Sequence, residues 1–157
     1  MPHVLRPEAD ASGCRFCLVA SRFNEPYVER LVRGALEVLV NRGAADQDLE
    51  VRWVPGSFEL PLACRWAADS GRFDAILAFG VLLRGETEHF QLVADASSQG
   101  LQRVALDTGT PVLNGIVAAH DAEQVAARSG GAHGNRGAEV ALAAVSMARL
   151  KRGLDAR

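Results

Sequence analysis

Phe16-Cys17-Leu18-Val19-Ala20, followed by Ser21-Arg22-Phe23-Asn24-Glu25-Pro26, is the stretch that decides the fold class of this chain. The first five residues form a short apolar run of strand type. The segment after them carries apolar residues at Val28, Leu31, Val32, Ala35, Leu36 and Leu39, the spacing of one helical face. Asn24 can cap that helix and Pro26 suits its first turn. Gly43 stands just past its end, where a left-handed residue is needed. The unit is therefore strand, short connection, helix.

The same grammar repeats outward from this unit. Residues 49–54 read as a strand, 58–69 as a helix stopped at Gly71, and 75–80 as a strand. Residues 89–107 read as a helix ended at Gly109, with Phe90, Val93, Ser97, Leu101, Val104 and Ala105 on one side, and 111–117 as the fourth strand. Two helices follow. The first, near 121–128, is capped by Asp121; the second, near 137–152, is alanine-rich and is expected to bury Ala138, Ala141, Leu142, Val145 and Ala148. A glycine-rich turn, 130–137, separates them.

Strands that alternate with helices and are apolar nearly throughout belong to a parallel sheet covered on both faces. The expected fold is α/β, a doubly wound three-layer sandwich around a four-stranded parallel sheet. Residues 1–157 are expected to form one domain, because 157 residues suit a single core. Residues 1–13 are read as an extended arm, or as an extra edge strand contributed to a neighbouring subunit.

Composition narrows the chemistry. At 48% hydrophobic and 23% charged residues the chain resembles an ordinary globular domain, which excludes disordered, collagenous and disulfide-scaffold classes. No apolar run is long enough to span a membrane, and residues 1–7 lack the apolar core of a signal peptide, so a cytoplasmic location without membrane association is expected. The net charge of −2, without a basic cluster, argues against nucleic acid. Of 17 basic residues 16 are arginine, and the one lysine, Lys151, lies close to the end. A Walker A loop and a Schiff-base lysine are thereby excluded. Cys14, Cys17 and Cys64 form no disulfide framework; Cys14-x-x-Cys17 opens an apolar run, which reads as ordinary thiols rather than as a redox or metal site.

In an open parallel sheet, ligands bind outside the carboxyl ends of the strands. The relevant connections are 21–24, 55–59, 81–89, and Asn114 with the residues leading to Asp121. Arg84-Gly85-Glu86-Thr87 runs into a helix N-terminus whose free N–H groups attract an anion such as phosphate, with His89 one turn away. The same residues also fit a plain structural role, Thr87 as a cap and His89 as a surface residue. Gly56 lets backbone N–H groups approach a flat heterocycle, and Phe58 or Phe23 offers a stacking face. Glu59 is at once a site candidate and an ordinary first-turn glutamate. His3 and His133 lie in a tail and a glycine turn. Neither a Gly-x-Ser-x-Gly elbow nor a His-Glu-x-x-His spacing occurs, which favours metal-free, non-hydrolase chemistry. The first connection lacks the Ser/Thr-rich phosphate loop of mononucleotide electron carriers, and the acidic cluster and lysine of receiver domains are missing.

Phe23-Asn24, Pro55-Gly56-Ser57-Phe58-Glu59-Leu60-Pro61, Gly80-Val81-Leu82-Leu83-Arg84-Gly85-Glu86-Thr87-Glu88-His89-Phe90 and Gly134-Asn135-Arg136-Gly137-Ala138-Glu139 occur in order with compatible spacing. Together they resemble the 6,7-dimethyl-8-ribityllumazine synthase family, over about residues 16–150. The resemblance implies a flavodoxin-like sandwich and a transferase of riboflavin biosynthesis. Its reaction joins 5-amino-6-(D-ribitylamino)uracil to 3,4-dihydroxy-2-butanone 4-phosphate, releasing phosphate and water, with no cofactor and no metal. It further implies that Phe23 stacks on the pyrimidine and that Gly56 and Phe58 belong to the same turn. Asn24, Ser57 and Glu59 face the ribityl chain, and Val81, Leu82 and Leu83 bind the ring through backbone groups. Gly85, Glu86, Thr87 and Arg128 hold the phosphate, and Arg136 takes the place of the family's usual lysine. His89 moves protons during imine formation, phosphate elimination and ring closure, a task suited to imidazole near neutral pH.

The resemblance also implies a homopentamer with sites between adjacent subunits, so that Asn114, Arg128 and Arg136 reach the site carrying His89 from the neighbour. Pentamer and sixty-subunit icosahedral shell both occur in the family, and the short 130–137 turn resembles the shell-forming type. Riboflavin synthase is the functional partner implied. Asn114 stands where many members place phenylalanine, and Ala118-Ala119-His120 replaces the common Thr-Thr-Asp/Glu, so weaker stacking is expected on that side. The alternative is a paralogue that binds lumazine or flavin, or builds a shell, without turnover.

Overall fold

Alternate residues of the two central strands face opposite sides of one sheet, and this divides the core in two. The computed structural model describes residues 1–85 and 88–156. Strands β1 (Phe16–Ser21), β2 (Leu49–Val54), β3 (Ala75–Leu83) and β4 (Val112–Ala119) form a parallel sheet in the order β2-β1-β3-β4. Phe16, Leu18, Ala20, Leu77, Phe79 and Val81 pack on one face against α1 (Glu25–Asn41) and α5 (Arg136–Asp155). Cys17, Val19, Ile76 and Ala78 pack on the other against α2 (Leu60–Asp69) and α3 (His89–Thr108). Each fully buried Phe or Leu contributes roughly 1.5–3 kcal/mol of transfer free energy, so these central strands carry much of the stability. The doubly wound three-layer α/β sandwich is the observed fold. A short helix, α4 (Ala122–Arg128), and a small antiparallel hairpin, β5 (Ser129–Gly131) with β6 (Gly134–Asn135), lead into α5.

Several local expectations change in place. Asn24 precedes α1, but its side chain caps nothing; it sits in the left-handed region at φ 60°, ψ 36°. Residues 57–59 form a single 3-10 turn, and the α-helix proper begins at Leu60 with Pro61 in its first turn. β3 continues through Val81, Leu82 and Leu83, which pair with Val117, Ala118 and Ala119 of β4, so these residues end a strand instead of forming a loop. α5 buries Gly137, Val140, Ala141, Ala144, Val145 and Ala148, whereas Leu142 is exposed and Ala138 only half-buried. Its apolar stripe is rotated because α1 approaches so closely at Gly137, where a Cβ would collide with the Leu31 carbonyl. The glycine-rich 130–137 segment is hairpin and helix start, and Asn135 accepts from the Ala138 N–H at 3.2 Å and donates to the Arg30 carbonyl at 3.0 Å.

At the amino end of the sheet the chain is tied by charge. Arg149 donates to the carbonyls of Asp10 and Ser12, and Arg152 to the carbonyl of Gly13 and the carboxylate of Asp74. Residues 10–13 thus dock on their own chain. Cys14, Cys17 and Cys64 are free and buried. Burial pushes all three thiols up, Cys17 to about 11, which fits inert core thiols and not a redox pair. Among the described residues no helix is long and apolar enough to cross a membrane.

Candidate active site

Three strand-to-helix connections meet at the carboxyl edge of the sheet, where the 56–59 turn and the first turns of α3 leave a cleft of about 750 Å³. Phe23 and Asn24 enter it from the β1–α1 connection, Gly56 to Glu59 from the turn after β2, and Leu82, Leu83 and Gly85 from the end of β3. His89, Phe90, Leu92 and Val93 line it from the first turns of α3. The size suits a small heterocyclic substrate, and the walls combine apolar faces with a few polar groups, as ligand sites generally do.

The polar groups are held by backbone geometry. Asn24 is the one non-glycine residue with positive φ among those described, and its Nδ2 donates to the carbonyl of Val81 at 2.9 Å. That bond ties the first connection to the end of β3 and sets the direction in which Phe23 leaves the sheet. Phe23 is 68% exposed and Phe58 65%, so both present apolar surface that the chain itself does not cover. Ser57 is buried, and its Oγ has no hydrogen-bond partner; a Cβ on Gly80 would collide with it. Its carbonyl accepts from Leu60 N–H and from Ser97 Oγ. Glu59 is exposed, with its carboxylate close to Gly56. His89 is the first residue of α3 and is exposed there.

Other expected site residues lie elsewhere in the chain. Val81 has its side chain in the core and its carbonyl taken by Asn24, so it does not line the cleft. Asn114 is an inner residue of β4 and does not open a connection. Its Oδ1 accepts from Ile116 N–H at 2.9 Å and its Nδ2 donates to Ser98 Oγ at 3.2 Å. β4 runs on to Ala119, and only His120 and Asp121 connect it to α4. Arg128 ends α4 and donates to its own helix at the Gln124 carbonyl, and Arg136 starts α5 and pairs with Glu139 at 3.0 Å; neither borders the cleft. Glu86 and Thr87 lie outside the described residues. Leu92 was not anticipated, although its place three residues after His89 on a helix was the available signal. Among the described residues no cluster of three His, Cys, Asp or Glu side chains could hold a metal ion.

The family model described as 6,7-dimethyl-8-ribityllumazine synthase matches residues 13–152 of this 157-residue chain. The chain belongs to the lumazine synthase family. The match covers every strand of the sheet, every helix up to the last turn of α5, and all residues lining the cleft. Membership assigns lumazine synthase function in riboflavin biosynthesis, a transferase activity on small molecules, and agrees with the four-stranded flavodoxin-like sandwich observed.

Proposed function

We propose that the cleft condenses 5-amino-6-(D-ribitylamino)uracil with 3,4-dihydroxy-2-butanone 4-phosphate to 6,7-dimethyl-8-ribityllumazine, releasing phosphate and water. The observation that carries this reading is the convergence of Phe23, the Gly56–Glu59 turn and His89 on one cleft at the carboxyl edge of the sheet. Phe23 supplies a stacking face for the pyrimidine, and the backbone of 56–59 and of Leu82 and Leu83 offers donors and acceptors to its edge. Asn24 and Glu59 border the path of the ribityl chain. The amine of the pyrimidine substrate attacks the ketone to form an imine with loss of water. Loss of the C3 proton expels phosphate from C4, the resulting C3 enol tautomerises to a carbonyl, and the ribityl-bearing nitrogen adds to that carbonyl and closes the ring with loss of a second water. His89 takes and returns protons at these steps, in the role of general acid and base.

The phosphate site is expected where Gly85, Glu86 and Thr87 lead into α3, whose first N–H groups point outward. No arginine or lysine is among the described residues lining the cleft. Arg128 of an adjacent subunit is the proposed cation for the phosphate, and Asn114 and Arg136 approach from the same neighbour. Exposed Leu62 and Trp66 on α2, with Leu92 and Leu106 on α3, are consistent with burial between copies of the chain. The assembly proposed is the homopentamer, with the shell as a further level of the same packing.

The test mixes purified protein with the two substrates and follows lumazine fluorescence and phosphate release against the uncatalysed background. Enhancement that disappears in Arg128→Ala, together with a pentameric or larger species on sizing, is the expected result. Tight binding of lumazine without enhancement overturns the catalytic reading, and activity in a 16.7 kDa monomer overturns the shared site.

A further inference from the structure

Ser97 lies two turns into α3, on the face that also carries Leu101 and Val104, and is 1% exposed. Alanine would fill this position as well as serine if packing were its only task, because a buried hydroxyl must find a partner to offset its desolvation. The partner is the carbonyl of Ser57, 3.0 Å from Ser97 Oγ and buried as well. That carbonyl already closes the 57–59 turn by accepting from Leu60 N–H. The Ser97 bond therefore adds a tether that runs from the turn to the helix. On the other side of the turn the Ser57 hydroxymethyl sits where Gly80 has no side chain, so β3 also fixes it. Ser57 is thus held between the strand that ends at Leu83 and the helix that begins at His89.

We infer that Ser97 is a positioning residue: its hydroxyl locks the Gly56–Glu59 turn to the helix carrying His89, and so holds the heterocycle-binding wall in place before substrate arrives. Ser97 is not among the residues that line the cleft. The inference rests on the function proposed above, and its specific content is that a bond outside the cleft sets pyrimidine affinity. A bond of this kind is worth about fivefold in an equilibrium constant. Its loss lets the turn move before the substrate is bound, so the effect falls on binding more than on the chemical step.

The experiment compares wild type, Ser97→Ala and Ser97→Thr by steady-state kinetics and by calorimetric titration with the pyrimidine substrate alone. Ser97→Ala removes one atom and is checked for folding by its melting temperature. Expected for it are a KM and a Kd for the pyrimidine raised about fivefold, with kcat within about twofold, and recovery by Ser97→Thr, which restores the hydroxyl. Unchanged KM and Kd in Ser97→Ala, or an equal loss in both variants, overturns the positioning role. Absence of turnover in wild type fails the proposed reaction instead, while the calorimetric comparison still decides whether Ser97 positions a pyrimidine site.

Discussion

Asn24 Nδ2 donates to the carbonyl of Val81 at 2.9 Å across 57 residues of sequence, from a residue whose backbone sits at φ 60°. An amide side chain serves here where serine or aspartate would not, because the carbonyl needs a donor and the turn needs a residue tolerant of the left-handed region. One residue thereby aims Phe23 and holds the end of β3 at the edge of the cleft.

Asn24→Ala loses both the bond and the favourable backbone, and is expected to cost about 2 kcal/mol. Asn24→Gly keeps the conformation and loses the bond alone, about 1 kcal/mol. Urea unfolding at fixed protein concentration measures both; equal losses would show that backbone strain is absent.

Phe23→Ala and His89→Ala separate binding from chemistry. The exposed Phe23 ring adds little to folding, so its removal should leave stability within about 0.5 kcal/mol while weakening pyrimidine binding roughly tenfold. His89→Ala should slow turnover by ~10²-fold or more with pyrimidine binding nearly intact. Wild-type rates in the second variant, or wild-type affinity in the first, would remove that residue from its role.

The buried thiols make the fold sensitive to base. Burial raises Cys17 from the ordinary 9.0 to about 11, so between these values the unfolded chain releases a proton that the folded chain keeps. The contribution to stability is complete below pH 9, and it is lost as the pH rises toward 11. Cys14 and Cys64 are raised by burial as well and act in the same direction. Melting temperatures measured across that window should fall less steeply for Cys17→Ala than for wild type, and parallel curves would exclude the thiol as a cause.

Gly137→Ala should be among the most damaging single changes. A Cβ there meets the backbone of Leu31, which cannot rotate away, so α5 must separate from α1. Overpacking of this kind costs about 3 kcal/mol. Gly109→Ala is the contrast: its Cβ meets no atom, and only the left-handed φ of 68° opposes it, at about 1 kcal/mol. Thermal unfolding should rank the two in that order.

Local pattern was enough to read the succession of strands and helices, since apolar spacing, Asp121 as a cap and Gly109 as a stop each act within a few residues. It was enough, too, to mark the connections after β1, β2 and β3 as the ligand edge. What the spacing of apolar residues could not reveal was that Val81 to Leu83 extend β3, because that extension exists only through pairing with Val117 to Ala119. Nor could it separate Asn24 as cap from Asn24 as donor to Val81, or show that Ser97 holds Ser57.

By itself the sequence determined the α/β class, the edge where chemistry sits and, through its motifs, the family resemblance. Only the tertiary structure decided the strand order β2-β1-β3-β4, the rotation of the buried stripe of α5 about Gly137, and the bonds from Asn24 to Val81 and from Ser97 to Ser57. Periodicity is set by neighbours along the chain. Register, close approach and the partners of buried polar groups are set by residues tens of positions away, whose contacts form only when the layers pack.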